Sequence, residues 1–162
     1  MAQVVGPGER LKRLKFEEFK AGQIIDAGPY QVSADEIIEF ARQYDPQWFH
    51  TDPQAAAQGR FDGLIASGWH TCGIAMRLMV DAVLTGSESF ASPGLEYVKW
   101  PAPVRPGDRL SVRATVLETR RGSKSPELGI LRWRWHMLNQ DEVEVLELEA
   151  TSLFDLSAEQ SS

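Results

Sequence analysis

Residues 68–84 read GWHTCGIAMRLMVDAVL and form the most apolar helical pattern in this 162-residue chain. His70, Arg77 and Asp81 interrupt the run. It is also shorter than the roughly 20 residues that a bilayer span needs. The stretch therefore predicts a long buried helix, from about Ser67 to Thr85, at the centre of the core.

The sequence changes character after this helix, toward β-branched and aromatic residues separated by turns such as Pro106-Gly107-Asp108. Strands are predicted near 95–100, 109–119, 128–138 and 143–154. In the third, apolar side chains alternate with polar ones, as in a strand with one covered face: Trp133, Trp135 and Met137 against Arg132, Arg134 and His136. Strands that follow helices in this order predict one α+β domain, whose antiparallel sheet packs on one long helix.

A second helix is predicted upstream, in QVSADEIIEFARQYDP, residues 31–46. Ser33 can cap its start and Glu36 can complete a capping box. Pro46 disfavours helical geometry at Asp45, which places that carboxylate just beyond the helix end. A loop with short helical turns follows to about residue 65.

The two ends of the chain lack a periodic pattern. Residues 1–15 carry Gly, Pro and several charges and predict a flexible arm, and residues 157–162 predict a disordered tail. The domain is therefore predicted to span 16–156.

Composition narrows the classes of function. A net charge of -6 argues against nonspecific binding to nucleic acid or a membrane surface, since both favour a basic face. The amino terminus has no apolar core typical of a secretory signal. A single cysteine, Cys72, excludes an intramolecular disulfide and cannot alone hold a structural zinc. We expect a cytoplasmic protein.

Three residues between the predicted helices carry the functional hypothesis. Asp45 and His50 are five positions apart, and a carboxylate with an imidazole can divide proton transfer if both reach one water. Gly68 opens the apolar helix, where backbone N–H groups can stabilise enolate charge on a carbonyl substrate. Taken alone, the pair is more typical of a structural Asp-Pro turn. Ser67 and Gly68 equally suit a simple N-cap and a close-packing position.

The combined frame Asp45-x4-His50-x17-Gly68 resembles the MaoC-like family of hot-dog-fold dehydratases, which includes the R-specific enoyl-CoA hydratases. FHTDPQAAA and FDGLIASGWH lie within the resembling segment, and FEEFKAGQ, VRPGDRL and the strands to about residue 154 extend it more weakly. The resemblance implies a single hot-dog fold, in which an antiparallel sheet wraps around one long central helix. It also implies that Asp45 and His50 hold a reacting water while the Gly68 N–H receives a thioester oxygen.

The resemblance implies a hydro-lyase, an (R)-specific enoyl-CoA hydratase or 3-hydroxyacyl-thioester dehydratase, with Asp45 the preferred base. The alternatives are a hot-dog acyl-CoA thioesterase and a non-catalytic subunit for binding or assembling acyl thioesters. Gln47 and Trp48 depart from the asparagine and proline of many hydratases. Gln47 keeps the amide group of asparagine, on a longer side chain. Trp48 and Phe49 either narrow the acyl cavity or pack as ordinary apolar residues.

Ligands and partners follow from the same resemblance. We expect an acyl-CoA or acyl-carrier thioester as substrate, no metal, no cofactor, and a homodimer or dimer of dimers. The cations available for coenzyme A phosphates are Lys99, Arg105, Arg120, Arg121 and Lys124. His70 and His136 are expected to have packing or hydrogen-bonding roles. The spacing of His50 and Asp52 disfavours a zinc site. Arg77 is expected to pair with Asp81.

Overall fold

The computed structural model describes residues 14–158. The predicted arm and tail lie mostly outside this range and stay predictions. A 3-10 turn at Phe16–Glu18 comes first, and the elements that follow are β1 Ile24–Gln31, α1 Ala34–Tyr44, α2 Trp48–Thr51, α3 Pro53–Ala57, α4 Gly68–Met79, β2 Ser89–Lys99, β3 Arg109–Arg121, β4 Leu128–Leu138 and β5 Glu144–Asp155.

The five strands form one antiparallel sheet in the order β1-β3-β4-β5-β2. The central strand β4 buries alternate side chains, including Trp133 and Met137, while their neighbours stay half-buried. The predicted alternation is therefore confirmed, as is the α+β class. Trp133 lies opposite Val116 of β3 and Ala150 of β5, so it forms the middle of the apolar face.

The predicted long helix is also confirmed, because α4 continues through a π-helical turn at Val80–Leu84. It buries Ile74, Ala75, Leu78 and Met79 in the same apolar core as the strands. These positions repeat every three or four residues and so lie on one side of the helix. The helix contacts β1, β3 and α1, and this packing brings its first turn beside the end of α1. No helix in 14–158 is long and apolar enough to cross a membrane.

Strand β1 was not predicted. It contains a cis Gly28-Pro29 bond, and its register with β3 shifts between Ala27 and Tyr30. Proline lacks an N–H and is tolerated in sheets mainly at edges and bulges. β1 has both features. Its sequence is therefore typical of a turn, and the strand was not predicted.

The start of α1 confirms the cap but not the capping box. The Ser33 hydroxyl accepts a hydrogen bond from the Glu36 N–H at 3.1 Å. The Glu36 carboxylate instead accepts from the Tyr30 hydroxyl and lies 3.3 Å from His70 Nε2. The predicted capping box is wrong because this carboxylate bridges β1, α1 and α4, three elements that meet only in the folded chain.

Candidate active site

The end of α1 directs the Asp45 carboxylate toward the start of α4. The Asp45 N–H donates to the Ala41 carbonyl at 2.8 Å, and Asp45 then leaves helical geometry with φ -151° and ψ 66°. Pro46 follows immediately. The predicted position just beyond the helix is confirmed, and it lets the carboxylate reach across to Ser67.

His50 is buried in the short helix α2. Its Nδ1 lies 2.7 Å from the Ile65 carbonyl oxygen, which can only accept a hydrogen bond, so Nδ1 carries a proton. Its Nε2 lies 3.2 Å from Asp45 Oδ2. In the neutral imidazole, Nε2 therefore has no proton and accepts hydrogen bonds, and the Asp45 oxygen beside it is an acceptor too.

Two donors hold the Asp45 carboxylate. Gln47 Nε2 donates to Oδ1 at 2.7 Å, and the Ser67 hydroxyl donates to Oδ2 at 2.8 Å. Burial raises the pKa of Asp45, but these two hydrogen bonds and the nearby His50 outweigh it and hold the pKa below its ordinary value. Asp45 is accordingly a carboxylate anion at neutral pH.

Ser67 is a residue of the candidate site that the sequence pattern did not indicate. It occupies the N-cap position of α4, yet its side chain makes no capping hydrogen bond. The alternative of a simple capping serine is therefore not met, because the hydroxyl donates to Asp45. The available signal was a serine at the head of the most buried helix, where a polar side chain needs a specific partner.

Gly68 is the first residue of α4, so its N–H has no acceptor within the helix. A cavity of about 450 Å³ lies against it. The wall combines the polar groups with apolar residues from three segments of the chain: Asp45, His50, Phe61, Ile65, Ala66, Gly68, Trp69, Thr71, Trp100, Pro101, Ala102, Pro103 and Val104. The structure thus brings all three sequence-predicted site residues to one cavity.

Of the two alternatives for Trp48 and Phe49, the structure agrees with packing outside the cavity. Trp48 and Phe49 are not among the cavity-lining residues of the described chain, and Trp48 packs over Gly59 with its side chain 52% exposed. The aromatic side chains that line the cavity are instead those of Phe61, Trp69 and Trp100. All three lie outside the DPQWFH segment, and Trp100 lies 31 positions after Trp69, so the pattern of that segment did not indicate them.

The remaining histidines lie outside the cavity wall. His70 is buried, stacks on the Phe40 ring at 4.7 Å, and contacts Glu36. Its burial lowers its pKa, an effect that Glu36 partly offsets. His136 of β4 contacts Glu144 and lies 3.8 Å from Glu147. These hydrogen-bonding partners agree with the roles expected for both histidines.

Metal ligation is geometrically possible at the second of these histidines. Among the described residues, His136, Glu144 and Glu147 offer ligand atoms within 4.8 Å of one another. They lie on β4 and β5, and none of them lines the cavity. At the disfavoured zinc site, the Asp52 carboxylate instead caps α3, accepting from the N–H groups of Gln54 and Ala55.

Comparisons with known proteins agree with this architecture. A family model described as a MaoC like domain matches residues 17–130. The crystal structure of a MaoC-like dehydratase from Rhodospirillum rubrum superposes with a TM-score of 0.81 at 37% identity, covering 88% of this chain and 97% of that one. The R-hydratase PhaJ1 from Pseudomonas aeruginosa, at 22% identity, shows the same fold with a TM-score of 0.71 over 88% of this chain and 86% of its own.

Two sequence relatives are informative in different ways. The uncharacterized protein YdeM of Bacillus subtilis is 36% identical over 140 residues, which cover 86% of this chain and 98% of that protein. The 3-hydroxyacyl-thioester dehydratase Z of Mycobacterium tuberculosis is 42% identical over 86 residues, which cover 52% of this chain and 56% of that protein.

A five-stranded antiparallel sheet packed on one central helix, with a largely apolar cavity that holds a carboxylate and an imidazole at the head of that helix, defines a hot-dog protein of the dehydratase type. The chain belongs to the MaoC-like dehydratase family. This confirms the resemblance and the fold expected from the sequence.

Proposed function

We propose that this protein catalyses the reversible addition of water to trans-2-enoyl thioesters, as an (R)-specific enoyl-CoA hydratase or 3-hydroxyacyl-thioester dehydratase. One observation carries the proposal. Asp45 Oδ2 and His50 Nε2 lie 3.2 Å apart on the wall of the cavity that also reaches Gly68. The carboxylate and the imidazole therefore border the same space as a backbone donor that has no acceptor within its own helix.

The two acceptors suit a water nucleophile. A single water can donate one hydrogen to Asp45 Oδ2 and the other to His50 Nε2. Its lone pairs then point away from both, toward the β-carbon (C3) of a bound enoyl thioester. The Gly68 N–H and the positive end of α4 stabilise the charge that develops on the thioester oxygen.

The proton taken from the water is returned to the substrate. As the water oxygen bonds to C3, its proton passes to His50 Nε2 and the double-bond electrons move to the thioester oxygen. The enolate then collapses, and C2 takes the proton from the imidazolium. We assign the proton to His50 rather than to Asp45, the base that the resemblance favours, because both Asp45 oxygens already accept hydrogen bonds, from Gln47 and Ser67, whereas Nε2 of the neutral ring has no donor among the described residues.

The same proposal includes a coenzyme A thioester as substrate. Of the five candidate cations, Lys99 and Arg105 adjoin the cavity-lining residues Trp100 and Val104. Two others are engaged in ion pairs, Arg120 with Glu118 and Arg121 with Glu17. We therefore propose Lys99 and Arg105, which neighbour cavity-lining residues in the sequence, for the phosphates.

We also propose a homodimer as the smallest unit. Among the described strands, β2 lies at a sheet edge and pairs only with β5. Phe90 and Leu95 on this strand are 57% and 46% exposed. An exposed edge with large apolar side chains favours pairing with another chain, and a second copy is the simplest partner.

The test is purified protein with crotonyl-CoA and longer enoyl thioesters, measuring the loss of enoyl absorbance. We expect turnover in the wild type and losses of at least about 100-fold in Asp45→Asn and His50→Ala. No turnover with any enoyl thioester, or undiminished turnover in both variants, would refute the proposal. Release of free thiol without hydration would identify a thioesterase. Tight binding without chemistry would identify an acyl-thioester binding subunit.

A further inference from the structure

The indole of Trp100 is in contact with the Gly68 backbone. Trp100 follows β2, and its Nε1–H donates to the Gly68 carbonyl at 3.0 Å. A Cβ built on Gly68 would lie 2.5 Å from Trp100 Cε2, 2.8 Å from Cζ2 and 2.9 Å from Cδ2. Position 68 therefore requires glycine in this chain because an indole lies against its Cα.

The Trp100 ring is itself held in place. It meets the Trp69 ring edge-on, with centroids 5.6 Å apart and an interplanar angle of 77°. Both rings line the cavity, although Trp100 is 43% exposed. An edge-to-face pair of this kind is a favourable arrangement. Trp100 therefore has a defined orientation from which to hold a neighbour.

Glycine is a poor choice for a fixed donor, because it has the greatest backbone freedom of any residue. Here the chain is restrained on both sides of Gly68. On the amino side, the Ser67 hydroxyl is bound to Asp45 and the Ser67 carbonyl accepts from the Thr71 N–H at 3.1 Å. On the carboxyl side, the Trp100 indole binds the Gly68 carbonyl.

We propose that Trp100 is a positioning residue, which fixes the Gly68 peptide so that its N–H points into the cavity as the oxyanion donor. The inference rests on the proposed hydratase function. An oxyanion donor is effective only when it is aimed in advance at the developing charge. The Ser67 carbonyl is already held by the Thr71 N–H, and the indole adds a restraint on the Cα and carbonyl of Gly68, which that hydrogen bond does not reach.

The first test replaces Trp100 with phenylalanine, which keeps an aromatic ring and loses the N–H. An α-helix that begins at Gly68 already directs the Cys72 N–H to the Gly68 carbonyl, so that carbonyl keeps a donor. We expect kcat for crotonyl-CoA to fall about 10-fold, with KM within about 2-fold, because the donor matters mainly in the transition state. An unchanged kcat, or a rise in KM alone, would overturn the proposal.

The second test uses the steric contact. Gly68→Ala alone should lose activity, because its Cβ overlaps the indole. In the double variant with Trp100→Ala the overlap is gone, so we expect activity no lower than about half that of Trp100→Ala alone. Additive losses would show that the indole is not what restricts position 68, and would overturn the proposal.

A control and a structural readout separate this inference from the proposed function. Trp48→Phe changes an exposed tryptophan outside the cavity wall and should leave kcat unchanged. The NMR order parameter of the Gly68 amide should fall from roughly 0.85, typical of a rigid backbone, toward 0.6 in Trp100→Phe. An unchanged order parameter would refute the positioning role even if the wild type had no hydratase activity.

Discussion

Replacing Ser67 with alanine removes one hydroxyl from a fully buried position and leaves the backbone of α4 intact. The hydroxyl donates at 2.8 Å to Asp45 Oδ2, the carboxylate oxygen that lies 3.2 Å from His50 Nε2. The substitution therefore acts directly on the oxygen proposed to bind the water. It should also raise the pKa of Asp45, because one of the hydrogen bonds that lower this pKa is lost.

The magnitude follows from burial and charge. A hydrogen bond to a charged group contributes about 1.5–3 kcal/mol, and each 1.4 kcal/mol is a factor of about ten. We therefore expect kcat/KM to fall by about 10-fold to 100-fold in Ser67→Ala. Gln47 also donates to Asp45, but it is exposed, so water can replace its amide. Gln47→Ala should cost about 3-fold or less.

The assay measures hydration of crotonyl-CoA by both variants, with Ser33→Ala as the control. Ser33 caps the helix that ends at Asp45, so its loss should cost about 1 kcal/mol of stability without touching the carboxylate. The reasoning is refuted if Ser67→Ala stays within about 2-fold of the wild type. It is also refuted if Gln47→Ala proves the more damaging change.

Three further predictions concern other parts of the chain. Burial lowers the pKa of His70, so on acidification the unfolded chain takes up a proton before the folded chain does. The free energy of unfolding should therefore fall as the pH drops below about 6.5. Urea titrations of His70→Gln should show a smaller fall. Arg105→Ala should raise KM several-fold for crotonyl-CoA but not for a thioester truncated before the phosphates, whereas an equal rise in Lys124→Ala would contradict a local site. Leu95→Arg on the exposed edge strand should convert a dimer to a monomer in light scattering, and a monomeric wild type would contradict the proposed pairing.

The elements that local pattern could predict are those whose cause is local. Helix α4 is largely apolar, and β4 alternates along its whole length. Asp45 lies at a helix end because Pro46 follows it. Each of these depends on neighbours within a few residues, so the sequence alone contains the physical reason.

The features that escaped prediction depend on contacts between distant segments. The Glu36 carboxylate does not form the expected capping box, because Tyr30 and His70 contact it only in the folded chain. Ser67 faces a carboxylate 22 positions earlier, and Trp100 reaches Gly68 across 32 positions. No periodicity or spacing rule encodes such pairs, since the sheet register and the packing of α4 decide them.

The arrangement at Asp45 and His50 suits a pair that exchanges a proton with a ligand. Because the Ile65 carbonyl is bound to Nδ1–H, the ring nitrogen that faces the carboxylate is Nε2, 3.2 Å from Asp45 Oδ2. In the protonated ring, Nε2–H donates to Oδ2; in the neutral ring, both atoms are acceptors, and a water that donates to both can satisfy them. Both forms of the pair therefore find a partner at the wall of the cavity that also reaches Gly68, as proton transfer to and from a substrate requires.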